Sequence, residues 1–182
     1  TSNIVISYWD WRVSSPRIGV AIVGTVSGTG ASATITFGTA VTFNSGDTYG
    51  VAATYDPSTS NVVVGYSDGS FNGKGIVGTT SGTGASATIV FGLVPVTFDT
   101  GVQYLTATFD SVANKVVFAY YDNSNGMVSV GTVSGSGTTG TITFGDTPVT
   151  FHAGGIYGNS CTFDITAGKV VIAYIVLYSS YW

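Results

Sequence analysis

Apolar and hydroxyl-bearing side chains alternate along much of this chain. Thr34-Ile35-Thr36-Phe37 and Thr141-Ile142-Thr143-Phe144 step between the two classes, the period of a strand with one apolar face and one polar face. Elsewhere the apolar residues run on unbroken, as in Val62-Val63-Val64 and Val170-Val171-Ile172, which predicts strands covered on both faces. Branched and aromatic residues dominate these segments and suit a pleated, half-buried surface. Between them fall Asp56-Pro57-Ser58, Asp68-Gly69-Ser70, Ser27-Gly28-Thr29-Gly30 and Asn44-Ser45-Gly46, which turn the chain through positive φ or side-chain bonds to the backbone. No window spaces its apolar residues for a helix, the chain holds no Glu, and glycine makes up 26 of its 182 residues. The fold class predicted is all-β.

The pattern repeats. Gly24-Thr25-Val26-Ser27-Gly28 returns as Gly78-Thr79-Thr80-Ser81-Gly82 and as Gly131-Thr132-Val133-Ser134-Gly135, a period of about 54 residues in the range of propellers, solenoids and arrays. Each unit divides into four segments. Segment a is Tyr49 to Asp56, matched by Tyr104 to Asp110 and Tyr157 to Asp164. Segment b is Asn61 to Asp68, matched by Asn3 to Asp10, Lys115 to Asp122 and Lys169 to Val176. Segment c is Gly75 to Ser81, matched by Val20 to Ser27 and Val128 to Ser134. Segment d runs from Ala87 to Phe98, matched by Ala33 to Phe43 and Gly140 to Phe151; Gly92, Pro95 and Pro148 mark it as a bent or bulged edge strand.

Four antiparallel strands in tandem describe a propeller blade, so the architecture expected is β-propeller-like; the alternative is an open β-repeat array or sandwich completed by strand exchange. The chain then reads as one repeat domain: a partial unit at 1–46, units at about 47–101 and 102–154, and a terminal a–b hairpin at 155–182. That is about three and a quarter blades where a closed ring needs about four or more. The expectation is a chain that continues in a longer protein or associates with copies of itself. The last b segment lacks the Asp that ends the others and runs on as Leu177-Tyr-Ser-Ser-Tyr-Trp182. Val170, Ile172, Tyr174, Val176, Tyr178 and Trp182 therefore form a candidate assembly edge, or else the cap of an atypical last repeat.

Composition narrows the partners. Only 8% of residues are charged, against about a quarter in ordinary soluble domains, so the surface is largely Thr, Ser, Gly, Asn and Tyr. Arg12, Arg17, Lys74, Lys115 and Lys169 are scattered, which argues against nucleic-acid binding. No apolar run reaches the length of a membrane span. Cys161 has no partner for an intrachain disulfide and reads as a small buried residue in segment a.

Two sets of acidic residues recur. Asp56, Asp110 and Asp164 close segment a before turn residues and read as turn caps. Asp10, Asp68 and Asp122 close segment b after aromatic residues, and Tyr8, Trp9, Asp10, Tyr66, Asp68, Tyr120, Tyr121 and Asp122 form the candidate ligand set. An aromatic platform beside a hydroxyl-accepting carboxylate suits a sugar, one site per unit; capping of the turn is the competing role. Asp122-Asn123-Ser124-Asn125-Gly126 lacks the alternating acids and distal Glu of a calcium loop, so neither a metal nor another cofactor is expected. His152, the single histidine, aligns with Asn44 and Asp99 and is expected in a turn. A sialidase-like hydrolase would clamp its substrate with three arginines, and this chain has two. No catalytic set stands out.

The run VGTVSGTG, TITFG, VTFNSG, ATYD and NVVVGYSDG resembles the tandem β-repeats of structural proteins from environmental phages and bacteria. The resemblance spans almost the whole chain, at Val23 to Ser27 with Thr34 to Phe43, Val77 to Ser81 with Thr88 to Phe98, and Val130 to Ser134 with Thr141 to Phe151. It implies a tail-fibre, virion-surface or secreted fibre protein and transfers no site residues. The function expected is a non-enzymatic extracellular structural or adhesive module. A filament subunit joined by strand exchange and a lectin for cell-surface glycans are the alternatives.

Overall fold

The computed structural model describes residues 2–11 and 16–177. These residues form four antiparallel sheets, none closed into a barrel. The first holds β1 (Ser2–Asp10), β2 (Ile18–Ser27), β3 (Thr34–Phe37) and β4 (Val41–Asn44). The second holds β5 (Thr48–Asp56), β6 (Asn61–Asp68), β7 (Gly73–Ser81), β8 (Thr88–Phe91) and β9 (Val96–Asp99). The third repeats it with β10 (Gln103–Asp110), β11 (Lys115–Tyr121), β12 (Asn125–Ser134), β13 (Thr141–Phe144) and β14 (Val149–Ala153). A hairpin of β15 (Ile156–Asp164) and β16 (Lys169–Val176) ends the series.

Within a unit the strands form a meander in the order a, b, c, d. Segment d is two short strands rather than one bent strand, and both pair with c: β8 and β9 lie along β7 as β13 and β14 lie along β12. The break has a packing cause. Gly92 donates to Val77 O and then passes so close to the third sheet that a β-carbon there would stand 2.0 Å from Gly140 O. Gly38 makes the same approach to Ala87 O. Short 3-10 turns at Gly30–Ser32, Gly84–Ser86 and Gly137–Thr139 join c to d.

The sheets stack face to face, with β5, β10 and β15 running side by side. One core lies between the first and second sheets, where Val23 and Phe43 meet Val62, Val64, Tyr66 and Ile89. A second lies between the next pair, where Val63, Val77 and Phe98 meet Val116, Phe118, Tyr120 and Ile142. β6 is buried from Asn61 to Ser67 because its two faces feed two different cores, which explains its unbroken apolar run. Each such Val, Ile or Phe contributes about 1.5–3 kcal/mol by leaving water. β1 and β16, the same segment at the two ends of the stack, stay largely open.

A polar interlock repeats at the junctions. Asn61 Nδ2 donates to Gly135 O at 3.0 Å, Thr79 Oγ1 donates to Asn61 Oδ1 at 2.6 Å, and Gly137 N donates to Thr79 Oγ1 at 2.7 Å. One unit earlier, Asn3 Nδ2 reaches Gly82 O at 3.2 Å, Thr25 Oγ1 reaches Asn3 Oδ1 at 2.8 Å, and Gly84 N reaches Thr25 Oγ1 at 2.8 Å. Each pair thus holds the c–d loop of the next sheet. At the third sheet Lys115 replaces the Asn and its Nζ donates to Thr132 Oγ1 at 2.8 Å.

Each of the a strands β5, β10 and β15 carries a bulge at the same place, and its position corrects the alignment of Tyr104 with Tyr49. The register shifts after Tyr49, Gln103 and Tyr157, each seven residues before the closing Asp. Gln103 is therefore the counterpart of Tyr49 and Tyr157. Tyr104 occupies the place of Gly50 and Gly158, with φ +51 where the glycines have +48 and +63. A left-handed backbone is easy for glycine and strained for tyrosine.

Candidate functional site

The aspartates that close the strands work on their own turns. Asp56 accepts from the N–H and hydroxyl groups of both Ser58 and Thr59. Asp110 accepts from Val112 and Ala113, and Asp164 from Thr166 and Ala167. The candidate ligand carboxylates do the same: Asp68 Oδ1 holds the N–H groups of Ser70 and Asn72, and Asp122 Oδ1 those of Ser124 and Asn125. Asp10 also has a partner within the fold. Slight burial of Asp68 opposes its ionisation, but the bonds from Asn72 and Ser70 and the charge of Lys74 outweigh it and hold its pKa below the usual value.

Two tyrosines of the predicted ligand set leave the surface. Tyr66 is 2% exposed and Tyr120 fully buried, because alternate b residues point into the cores. Burial, with Asp68 nearby, pushes the Tyr66 phenol up to about 12. Burial also raises Tyr120, whose hydroxyl donates to Asp99 Oδ2 at 2.7 Å and lies 2.9 Å from Ser129 Oγ. Neither ring can meet a ligand. Tyr8, Trp9 and Tyr121 remain partly open.

The open rings gather where the b strands end and the a strands begin. Trp9 and Trp11 lie 5.7 Å apart, and the guanidinium of Arg17 sits 5.7 Å from Trp9, 5.1 Å from Trp11 and 5.0 Å from Tyr49. Arg17 is placed by its own backbone N–H, which donates to Asp47 Oδ1 at 2.9 Å. Tyr49 stacks on Phe71 at 5.4 Å. Phe71 has φ +60, its N–H donating to Asp68 O and its O accepting from Val102 N. Further along the same edge Tyr104 meets Tyr157 edge-on at 5.0 Å and lies 6.4 Å from Tyr121. Gln103 donates to Asn123 beside them. Trp11 is 65% exposed and Tyr157 54%.

Among the described residues the two bulky ones that take the left-handed region, Phe71 and Tyr104, are aromatic and belong to this edge. Strain of this kind costs on the order of 1–3 kcal/mol and collects at functional surfaces. Flat rings beside amide groups can stack on a flat apolar face and bond to polar groups at its rim. Of this edge the candidate set named only Trp9 and Tyr121. Trp11, Arg17, Tyr49, Phe71, Tyr104 and Tyr157 were missed, although Tyr49 and Tyr157 repeat visibly.

The remaining candidates lie elsewhere. His152 is in β14, not in a turn, with its ring 5.2 Å from Tyr174. Cys161 stands in register with Ala53 and Ala107; burial raises its thiol pKa, against the effect of Thr106, whose Oγ1 lies 3.5 Å from the sulfur. Of the assembly-edge residues, Val170, Ile172, Tyr174 and Val176 lie on β16, and Tyr174 packs on Phe151. Tyr178 and Trp182 lie outside the described residues. Among the described residues no three His, Cys, Asp or Glu side chains gather as metal ligands, and no helix is long and apolar enough to cross a membrane. No family model, curated protein or solved structure matches the chain.

Proposed function

We propose that the chain is a non-enzymatic structural and adhesive repeat module of an extracellular or virion fibre, built from propeller-like blades. Its adhesive surface is the aromatic edge, and the ligand class is a neutral saccharide chain. The observation carrying this reading is the pair of strained aromatics, Phe71 and Tyr104, held among open rings on one edge. At the position of Tyr104 two other units use glycine, so folding alone favours a residue without a ring. Aromatic plates fit the apolar face of a pyranose, and the Gln103 and Asn123 amides can bond to its hydroxyls. The sheets behind serve as the scaffold that fixes the rings.

Affinity electrophoresis in gels containing glucan, xylan or mannan tests the reading. Each ring contributes about 0.5–1.5 kcal/mol, so Trp11→Ala and Tyr104→Gly should each weaken retardation by roughly three- to tenfold. Migration unaffected by any of the three polysaccharides refutes saccharide adhesion.

A further inference from the structure

The two strained aromatics are tied to each other through the fold. Phe71 O accepts from Val102 N at 2.9 Å, and Val102 O accepts from the Ser67 hydroxyl. Val102 is fully buried in the second core and stands two residues before Tyr104. Phe71 belongs to the turn between β6 and β7 of the second sheet, whereas Tyr104 belongs to β10 of the third. One buried residue therefore fixes a ring of one sheet relative to a ring of the next. The a strands close up at the same place: a β-carbon at Gly50, next to Tyr49, would stand 3.9 Å from Leu105 N, next to Tyr104.

Each strained ring has its own neighbours. Phe71 lies nearly parallel to Tyr49, their planes 17° apart. Tyr104 lies at 29° to Tyr121 and meets Tyr157 edge-on. Among the described residues no ring contact joins the first group to the second. Phe71 is 42% exposed and Tyr104 37%, so a ligand can reach both. Gln103 and Asn123 lie beside the second group, joined through one polar atom of each amide; the other acceptor and donor can meet hydroxyls. The edge thus carries two separate aromatic plates on adjacent sheets, held in one fixed relation.

We infer that the two plates are consecutive subsites for one extended oligosaccharide, which lies along the stack with one stretch on Tyr49 and Phe71 and the next on Tyr104. The edge therefore selects its ligand by chain length. The inference rests on the saccharide reading above and adds to it the number and order of the subsites. A short oligosaccharide fills one plate. A longer one crosses from the second sheet to the third and gains the second plate within the same complex, without a second loss of translational freedom. Because Val102 anchors both rings, little further ordering of the protein accompanies that second contact.

The probes are cello-, xylo- and manno-oligosaccharides graded from disaccharide to octasaccharide, titrated into the full chain by isothermal calorimetry. In the series that binds, affinity should step up by roughly three- to tenfold at the length that first spans both plates. Phe71→Gly and Tyr104→Gly each remove a plate at a backbone angle that glycine accepts, and each should flatten the step. Circular dichroism confirms that both variants fold. Retardation by a polysaccharide without a step among the oligosaccharides, or a step that survives either substitution, overturns the inference alone. No retardation by any of the polysaccharides overturns it together with the saccharide reading.

Discussion

Asn61→Ala should cost far more than the loss of a polar residue from a strand end normally does. The side chain is fully buried and both ends of its amide are used, Nδ2 on Gly135 O and Oδ1 receiving the Thr79 hydroxyl. Truncation orphans a carbonyl and a hydroxyl at a dry junction between sheets. An orphaned buried group costs about 1–3 kcal/mol, so the expected loss is about 2–4 kcal/mol. With a urea m-value of about 2 kcal/mol/M, the midpoint falls by about 1–2 M. Thr79→Val removes the hydroxyl that bridges Asn61 and Gly137. The double variant should lose less than the sum of the singles, with a coupling of about 1–2 kcal/mol. Asn3→Ala is the internal control, because the same interlock there is exposed and water can replace the amide. Equilibrium urea unfolding followed by far-ultraviolet circular dichroism measures all four. A loss below about 0.5 kcal/mol at Asn61, or one no larger than at Asn3, refutes the interlock as a source of stability.

Gly92→Ala should destabilise by about 3 kcal/mol, since its methyl would meet the backbone at Gly140 and two sheets would have to part; thermal melting checks this, and an unchanged melting temperature would exclude so close a contact. Asn159 has both side-chain polar atoms buried without a hydrogen-bond partner, at the place where strand a elsewhere carries Val51 and Leu105. Asn159→Leu should therefore raise stability by about 1 kcal/mol in urea unfolding, and a loss would contradict the account. Tyr66 and Tyr120 predict sensitivity to alkali. Their phenols are raised by burial from an ordinary value of 10.0, Tyr66 to about 12, so the unfolded chain releases these protons more readily. Their contribution is complete below pH 10 and declines as pH rises through 12, by up to about 1.4 kcal/mol per pH unit for each phenol. Urea midpoints between pH 9 and 12, with absorbance at 295 nm, test it; titration of every tyrosine near pH 10 in the folded chain would refute it.

Strand content was legible because alternation and β-branching act locally. The 54-residue period likewise announced units of one kind, and the turn caps Asp56, Asp110 and Asp164 followed from their place at the end of segment a. Their roles needed no knowledge of what lay across the stack. The aromatic site was less legible. Tyr8 and Tyr66 hold the same place in segment b, yet one is partly open and the other buried, since burial depends on whether another sheet covers that face.

The amino-acid sequence by itself determined that this chain is all-β, repetitive and poor in charge, because each of these is a property of neighbouring residues or of composition. Only tertiary structure decided which face of each strand is core. It also decided that the residue after the first bulge position, Gly50, Tyr104 or Gly158, takes a left-handed backbone, which nothing in the local pattern records for Tyr104. Asn61 looked like an ordinary polar strand end. It became the most constrained polar residue of its junction when a loop 74 residues away was laid against it, for a hydrogen bond of that reach depends on stacking that the local sequence does not encode.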